Sequence, residues 1–173
     1  ETFKNKIVEK LSKIKFGDPL EPTTEMCPLA SEGAHNGMVN QIKEIPKSWK
    51  LIHKSNVKDP FFPIHVYEAN PDEPYLEEIF GPVFSLYKAR DEKHAIEIAN
   101  QGEYGLGASC WSKDIVRAEK VMDQVRAGMT FINARGKGEP HLPFGGVEKS
   151  GYGRECGIEG LHEFANVKLY YIN

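Results

Sequence analysis

Apolar positions recur along this chain in two rhythms. Within "FKNKIVEKLSKI", Phe3, Ile7, Val8, Leu11 and Ile14 fall three and four residues apart, predicting an amphipathic helix with one face turned to a core. A loop dense in Pro, Asp and Thr follows, "KFGDPLEPTTEMCP", and a second helical pattern runs from Ala34 to Ile45. The rhythm then changes. "WKLIHKS" and "FFPIHVYEA" read as strands, the turn "ANPDEP" separates them from the strand "PVFSLYKA", and the helix "DEKHAIEIANQ" comes next. "GLGASCWS" (strand), "DIVRAEKVMDQVR" (helix) and the short apolar strand "GMTFIN" complete the alternation.

Asp91 and Asp114 stand where helix N-caps are needed, and Gly102 and Gly128 stand past the predicted helix ends, suited to C-caps. Strands separated by helices of this length imply βαβ units. The predicted fold is therefore α/β, a mostly parallel twisted sheet covered by helices. The chain closes on "VKLYYIN", where Val167, Leu169 and Tyr171 alternate with Lys168, Tyr170 and Ile172. A strand so apolar on both faces calls for a partner, either this sheet or a second subunit.

Composition narrows the function classes. The 173 residues are 40% hydrophobic and 27% charged with a formal net charge of −3, which leaves no basic footprint for nucleic acid or an anionic membrane. No apolar run approaches the length of a membrane span, and residue 1 opens no signal or transit peptide. The three cysteines, Cys27, Cys110 and Cys156, form no Cys-x-x-Cys pair, pointing to a reducing cytoplasm rather than a disulfide framework. The six histidines are scattered, and no His-Glu-x-x-His motif marks a metal site.

The stretch "HLPFGGVEKSGYGRECG" over 141–157 is the densest in glycine. A phosphate cradle is excluded by spacing. Gly151 and Gly153 would need a third glycine at 156, which is Cys156, and no Gly-Lys-Ser/Thr ending follows. Taken alone, the stretch suits a core aromatic, Phe144, punctuated by turns.

"LEEIFGPV" at 76–83 and "LPFGGVEKSGYGRECGIEGLHEF" at 142–164, with "YGLGASCWSKD" and "AGMTFIN" between them in order, resemble the C-terminal part of the aldehyde dehydrogenase superfamily. The opening "KIVEKLSKIKFGDPLEPTTEMCPLAS" resembles the family's segment downstream of its catalytic cysteine, so the match covers essentially the whole chain. "GMTFIN", "LPFGG" and "SGYGRE" look closest to the succinate-semialdehyde dehydrogenases.

The resemblance implies part of a catalytic domain over residues 1–166 and an oligomerisation strand over 167–173, the latter favouring a homo-oligomer. It implies that Phe144 presents its ring to an aldehyde from one wall of a substrate tunnel, with Gly145 and Gly146 letting the backbone bend beneath it. Glu78 would hold the nicotinamide ribose of NAD or NADP and Phe80 would abut the ring. A carboxylate suits a ribose diol, and an aromatic two residues along an extended segment shares its side. The alternative for Glu78 is a surface carboxylate. The loop "NARGKGEPH" would set substrate choice. Arg135 and Lys137 there suit a substrate carboxylate, or else form a solvated basic loop.

Aldehyde oxidation requires a thiolate, an oxyanion donor, a hydride acceptor and a base for deacylation. In the family the nucleophilic cysteine follows Gly-Gln and the base sits in a Glu-Leu-Gly-Gly-like motif; neither occurs in these 173 residues. Cys27 stands where the family usually has glycine, Cys110 lies in an apolar strand, and Cys156 opens the last helix, where a helix dipole favours a thiolate. None matches the family nucleophile, so no catalytic residue is assigned. The expectation is one part of an NAD(P)-dependent enzyme that is inactive alone. The alternative is a naturally truncated, non-enzymatic assembly module.

Overall fold

The computed structural model describes residues 1–173, which divide between a first unit, Glu1–Ala89, and a second, Arg90–Asn173. In the first unit α1 (Thr2–Leu11) and α2 (Glu32–Glu44) precede β1 (Lys50–Lys54), β2 (His65–Ala69) and β3 (Val83–Tyr87). Ser31 caps α2 by accepting from the Ala34 N–H at 3.1 Å. β2 is central, antiparallel to β1 and parallel to β3. It begins at His65 rather than at Phe61, because Pro63 has no N–H to give a ladder.

The core of this unit forms where β2 meets the end of α2. Ile45, Trp49, Tyr67 and Ala69 make one buried cluster, with Ile79, Val83 and Tyr87 packed against it. Trp49 meets Tyr87 edge-on at 5.6 Å and donates its indole N–H to the Glu73 carbonyl at 2.9 Å. Ile64 and Val66 are wholly enclosed, each burial stabilising the unit by about 1.5–3 kcal/mol. In contrast, α1 forms where its periodicity predicts but its face is only half-covered: Ile7, Val8 and Leu11 are half-buried, none is fully enclosed, and Phe3 is 71% exposed. Periodicity reports a helix with an apolar face; it does not say how completely that face is covered.

In the second unit the order is α3 (Glu92–Ala99), β4 (Tyr104–Gly105), β5 (Gly107–Cys110), α4 (Ile115–Met122), β6 (Met129–Ile132), β7 (Val147–Glu148) and α5 (Gly157–His162). The predicted caps are present. Asp91 accepts from the His94 N–H at 2.8 Å, and Asp114 accepts from the Arg117 N–H at 3.0 Å. β5 and β6 pair in parallel across the crossover helix α4, which buries Ala118 and Met122. β4 and β7 form a separate antiparallel pair.

The α/β class and its parallel βαβ pairing are therefore present, distributed over three small sheets. Two local expectations are corrected. α4 stops at Met122 because the next turn tightens into i→i−3 bonds from Gln124 to Val121 and from Val125 to Met122. Gly102 and Gly128 are not left-handed caps; Asn100 and Asp123 end the two helices, and positive φ among glycines falls at Gly151, Gly153 and Gly157. Of the two partners expected for residues 167–173, this chain's own sheets are not one: the residues form no strand within it, and Val167, Leu169 and Tyr171 are exposed. The chain leaves 12930 Å² accessible, whereas two separate compact units of half its mass would together expose roughly 10,000 Å². Trp111, Leu161, Phe164 and Leu169 are among the apolar side chains contributing to that surplus.

Candidate active site

In the first unit, Glu78 and Phe80 flank Ile79 on the segment leading into β3, which turns at Phe80 where the Gly81 N–H donates to the Ile79 carbonyl at 3.0 Å. Ile79 packs on the Trp49 cluster, so its two neighbours are turned outward, and Phe80 is 77% exposed. The Glu78 carbonyl accepts from the Gln41 side-chain amide at 2.9 Å, which ties the segment to α2. Past it, Gly81 lies against buried Met38, and the Pro82 carbonyl accepts from the His65 N–H at 2.9 Å. The pair is thus held by its backbone while both side chains remain open. A carboxylate and an aromatic ring displayed together on a fixed backbone suit a ribose diol and a flat heterocycle.

In the second unit, Phe144 exchanges two backbone hydrogen bonds with Glu155, both 2.7 Å, which clamps the Gly-rich stretch into a double wall. The Arg154 guanidinium stitches the two layers by donating to the Gly146 carbonyl at 2.9 Å and the Gly153 carbonyl at 2.7 Å. Gly145 and Gly146 serve close approach rather than an unusual φ. A Cβ at Gly146 would stand 2.5 Å from the Ser150 Cβ. Positive φ is needed instead at Gly157, whose N–H donates to the Pro140 carbonyl at 3.1 Å.

This wall borders a cleft of about 520 Å³. Met129, Phe131, Leu142 and Phe144 give it an apolar lining, and Lys137 and Glu139 add a charged pair. Gly136 and Gly138 lie over the rings of Phe131 and Phe144, within 3.4 and 3.6 Å of where a Cβ would stand, so the loop covers the aromatics with Lys137 between the two glycines. The loop is launched by Asn133, whose backbone adopts φ 51°. Its side chain accepts from the Ser112 N–H at 2.9 Å and donates to the Ser112 carbonyl at 2.8 Å.

Of the residues singled out from sequence, Phe144 and Lys137 come together in this cleft. Arg135 is exposed, makes no hydrogen bond or ion pair, and is not part of the lining. Glu78 and Phe80 lie together in the first unit. Sequence reading missed Glu139, which pairs with Lys137, and His141, which also lines the cleft. The Lys137 ammonium holds the Glu139 carboxyl below the usual carboxylate range, with a smaller contribution from His141. The signal available was Glu139 itself, two residues from Lys137 in the quoted loop.

The three cysteines lie apart. Cys27 and Cys156 are exposed, and Cys110 is half-buried on β5 opposite Ile132. No group of three His, Cys, Asp or Glu side chains converges as a metal site would require, and no helix is long and apolar enough to cross a membrane.

The family model described as "Aldehyde dehydrogenase family" matches residues 1–170. A succinate-semialdehyde dehydrogenase [NADP(+)] 1 of Mycobacterium bovis is 35% identical over 99% of this chain and 39% of its own length. A succinate-semialdehyde dehydrogenase [NADP(+)] of Mycobacterium avium is 36% identical over 99% and 38%. Among solved structures, succinic semialdehyde dehydrogenase from Streptococcus pyogenes in complex with NADP+ superposes with a TM-score of 0.92 at 37% identity, covering 99% of this chain and 39% of that one. Betaine aldehyde dehydrogenase from Staphylococcus aureus in complex with NAD+ gives 0.85 at 30% identity, covering 94% and 34%. The chain spans about two fifths of the length of the curated relatives it matches. With the family model matching residues 1–170 and the fold shared at these scores, the chain belongs to the aldehyde dehydrogenase family.

Proposed function

We propose that this chain serves as the C-terminal part of an NAD(P)-dependent enzyme that oxidises a short ω-carboxy aldehyde, succinate semialdehyde, to the carboxylic acid. The observation that carries the reading is the cleft joining an apolar aromatic wall at Phe144 to a cation at Lys137. An aldehyde with a short carbon chain and a terminal carboxylate has those two complements. The similarity to succinate-semialdehyde dehydrogenases along nearly the whole chain supports the same substrate class.

In this reading Phe144 packs against the substrate's methylene carbons, while Lys137, with unpaired Arg135 nearby in sequence, binds the carboxylate. Glu78 accepts hydrogen bonds from ribose hydroxyls and Phe80 packs beside the nicotinamide. The bound coenzyme, NADP as in the named relatives or NAD, supplies hydride acceptance. The nucleophile is a cysteine elsewhere in the enzyme, which adds to the aldehyde as a thiohemiacetal and yields a thioester that water releases. Residues 1–166 then form part of the catalytic domain. The exposed apolar arm, 167–173, pairs as a strand with another subunit in a homo-oligomer. The cysteine pattern supports a cytoplasmic setting.

Steady-state kinetics of the full-length gene product test the reading. Succinate semialdehyde should exceed butanal in kcat/KM by about tenfold, or about 1.4 kcal/mol, the scale of a partly screened ion pair. Equal values for the two substrates would remove the carboxylate from the proposal.

A further inference from the structure

We propose that Glu139 is a specificity-determining residue, an internal counterion that holds the Lys137 ammonium in the cleft and competes for it with the carboxylate of an anionic substrate. The inference rests on the reading of the cleft just given and concerns a residue that reading does not use. Lys137 and Glu139 form an ion pair within the cleft lining. The two partners are not equally anchored. The Glu139 side chain is 31% exposed and that of Lys137 is 62%. Glu139's carbonyl accepts from the Leu142 N–H at 3.0 Å, and the next carbonyl, of Pro140, accepts from Gly157 at 3.1 Å.

The carboxylate therefore sits on a fixed stretch of backbone, and the lysine reaches to it. No other acidic residue lies between Asn133 and Pro143, so Glu139 alone sets the local negative charge of this loop. Arg135, on the same loop, has no such partner, so the two cations are not equivalent. A substrate carboxylate that takes Lys137 must displace Glu139, whereas a neutral aldehyde need not. An exposed pair of this kind is worth little, so its displacement lowers affinity for the acid by about two- to fivefold. The carboxylate thus moderates selectivity for anionic aldehydes.

The test is the ratio of kcat/KM for succinate semialdehyde to that for butanal, measured on the full-length enzyme and on its E139Q, K137Q and K137Q/E139Q variants. The expected result is a ratio about two- to fivefold higher in E139Q, arising from a lower KM for the acid, and no such rise when E139Q is made in the K137Q background. An unchanged or lower ratio in E139Q overturns the inference. An equal rise with or without Lys137 also overturns it, because that pattern reports only the removal of one negative charge near the cleft. A ratio of one in the wild type and every variant overturns the reading of the cleft itself, while a wild-type preference for the acid that E139Q leaves unaltered overturns only the role of Glu139.

Discussion

Gly128 lies so close to the Gly145 carbonyl that a Cβ at position 128 would stand 2.0 Å from that oxygen. The start of β6 and the Phe144 wall are thereby packed backbone against backbone. Neither partner is a side chain that can rotate away. Gly128→Ala should destabilise the second unit by roughly 3 kcal/mol and displace the wall, the upper range for overpacking a tight site. Urea unfolding followed by circular dichroism checks this, and a midpoint within error of the wild type would mean the wall yields.

Glu78 and Phe80 are both exposed, on either side of Ile79, which packs on the core cluster. Glu78→Gln in the full-length enzyme should slow hydride transfer about ten- to hundredfold, the cost of one charge-assisted hydrogen bond of roughly 1.5–3 kcal/mol. Acylation of the nucleophile should change less. Single-turnover absorbance at the reduced-nicotinamide band separates the steps, and an unaltered hydride-transfer rate would leave Glu78 as a surface carboxylate.

Arg135 and Lys137 make different predictions because only Lys137 lines the cleft. Lys137→Ala should raise KM for succinate semialdehyde several-fold and leave butanal nearly unchanged, the pattern of lost uniform binding. Arg135→Ala should act in the same direction with a smaller effect. High salt should erode the acid preference of the wild type, since both cations are exposed. Equal loss of both substrates in Lys137→Ala would make the loop a scaffold.

The 173-residue chain alone should form no NAD(P)H from aldehydes, because it contains neither a Gly-Gln-x-Cys nucleophile nor a Glu-Leu-Gly-Gly-like base motif. The check is absorbance with purified chain at high concentration. Turnover that disappears on mutation of Cys110 or Cys156 would assign the nucleophile to this chain.

His65 is buried beside Tyr67, their rings parallel within 7°, and its Nδ1–H donates to the Pro63 carbonyl at 2.8 Å. Burial is the chief cause that holds its imidazole below the ordinary value of 6.5. Below that pH the unfolded chain therefore binds a proton that the folded chain refuses. The stability contributed by neutral His65 is complete above about pH 6.5, falls as pH decreases, and levels off below the folded-state value. Urea midpoints between pH 8 and pH 5 should fall more steeply for the wild type than for His65→Phe. Equal slopes would assign the acid sensitivity to other groups.

Local signals carried much of this protein. The helices at 92–99 and 115–122 were legible because their caps, Asp91 and Asp114, act on N–H groups three residues away. The parallel pairing of β5 with β6 followed from the helix between them. The motif order pointed to the family across residues 1–170. What remained hidden depended on residues distant in sequence or on atoms with several available partners. The β4–β7 pair joins Tyr104 to Glu148, the glycine contact joins 128 to 145, and the strands separate into three sheets. α1 showed an apolar face that its unit covers only in part: Ile7, Val8 and Leu11 are half-buried and Phe3 is exposed. Lys137 read as a free cation because sequence names a charge but not its nearest counterion; only the path of the loop over Phe131 and Phe144 brings Glu139 to it. Periodicity and capping act within a turn or two of chain, so sequence determined the elements and their family. Close approach and charge pairing depend on through-space distance, so the tertiary structure decided the wall, the cleft and the state of its lysine.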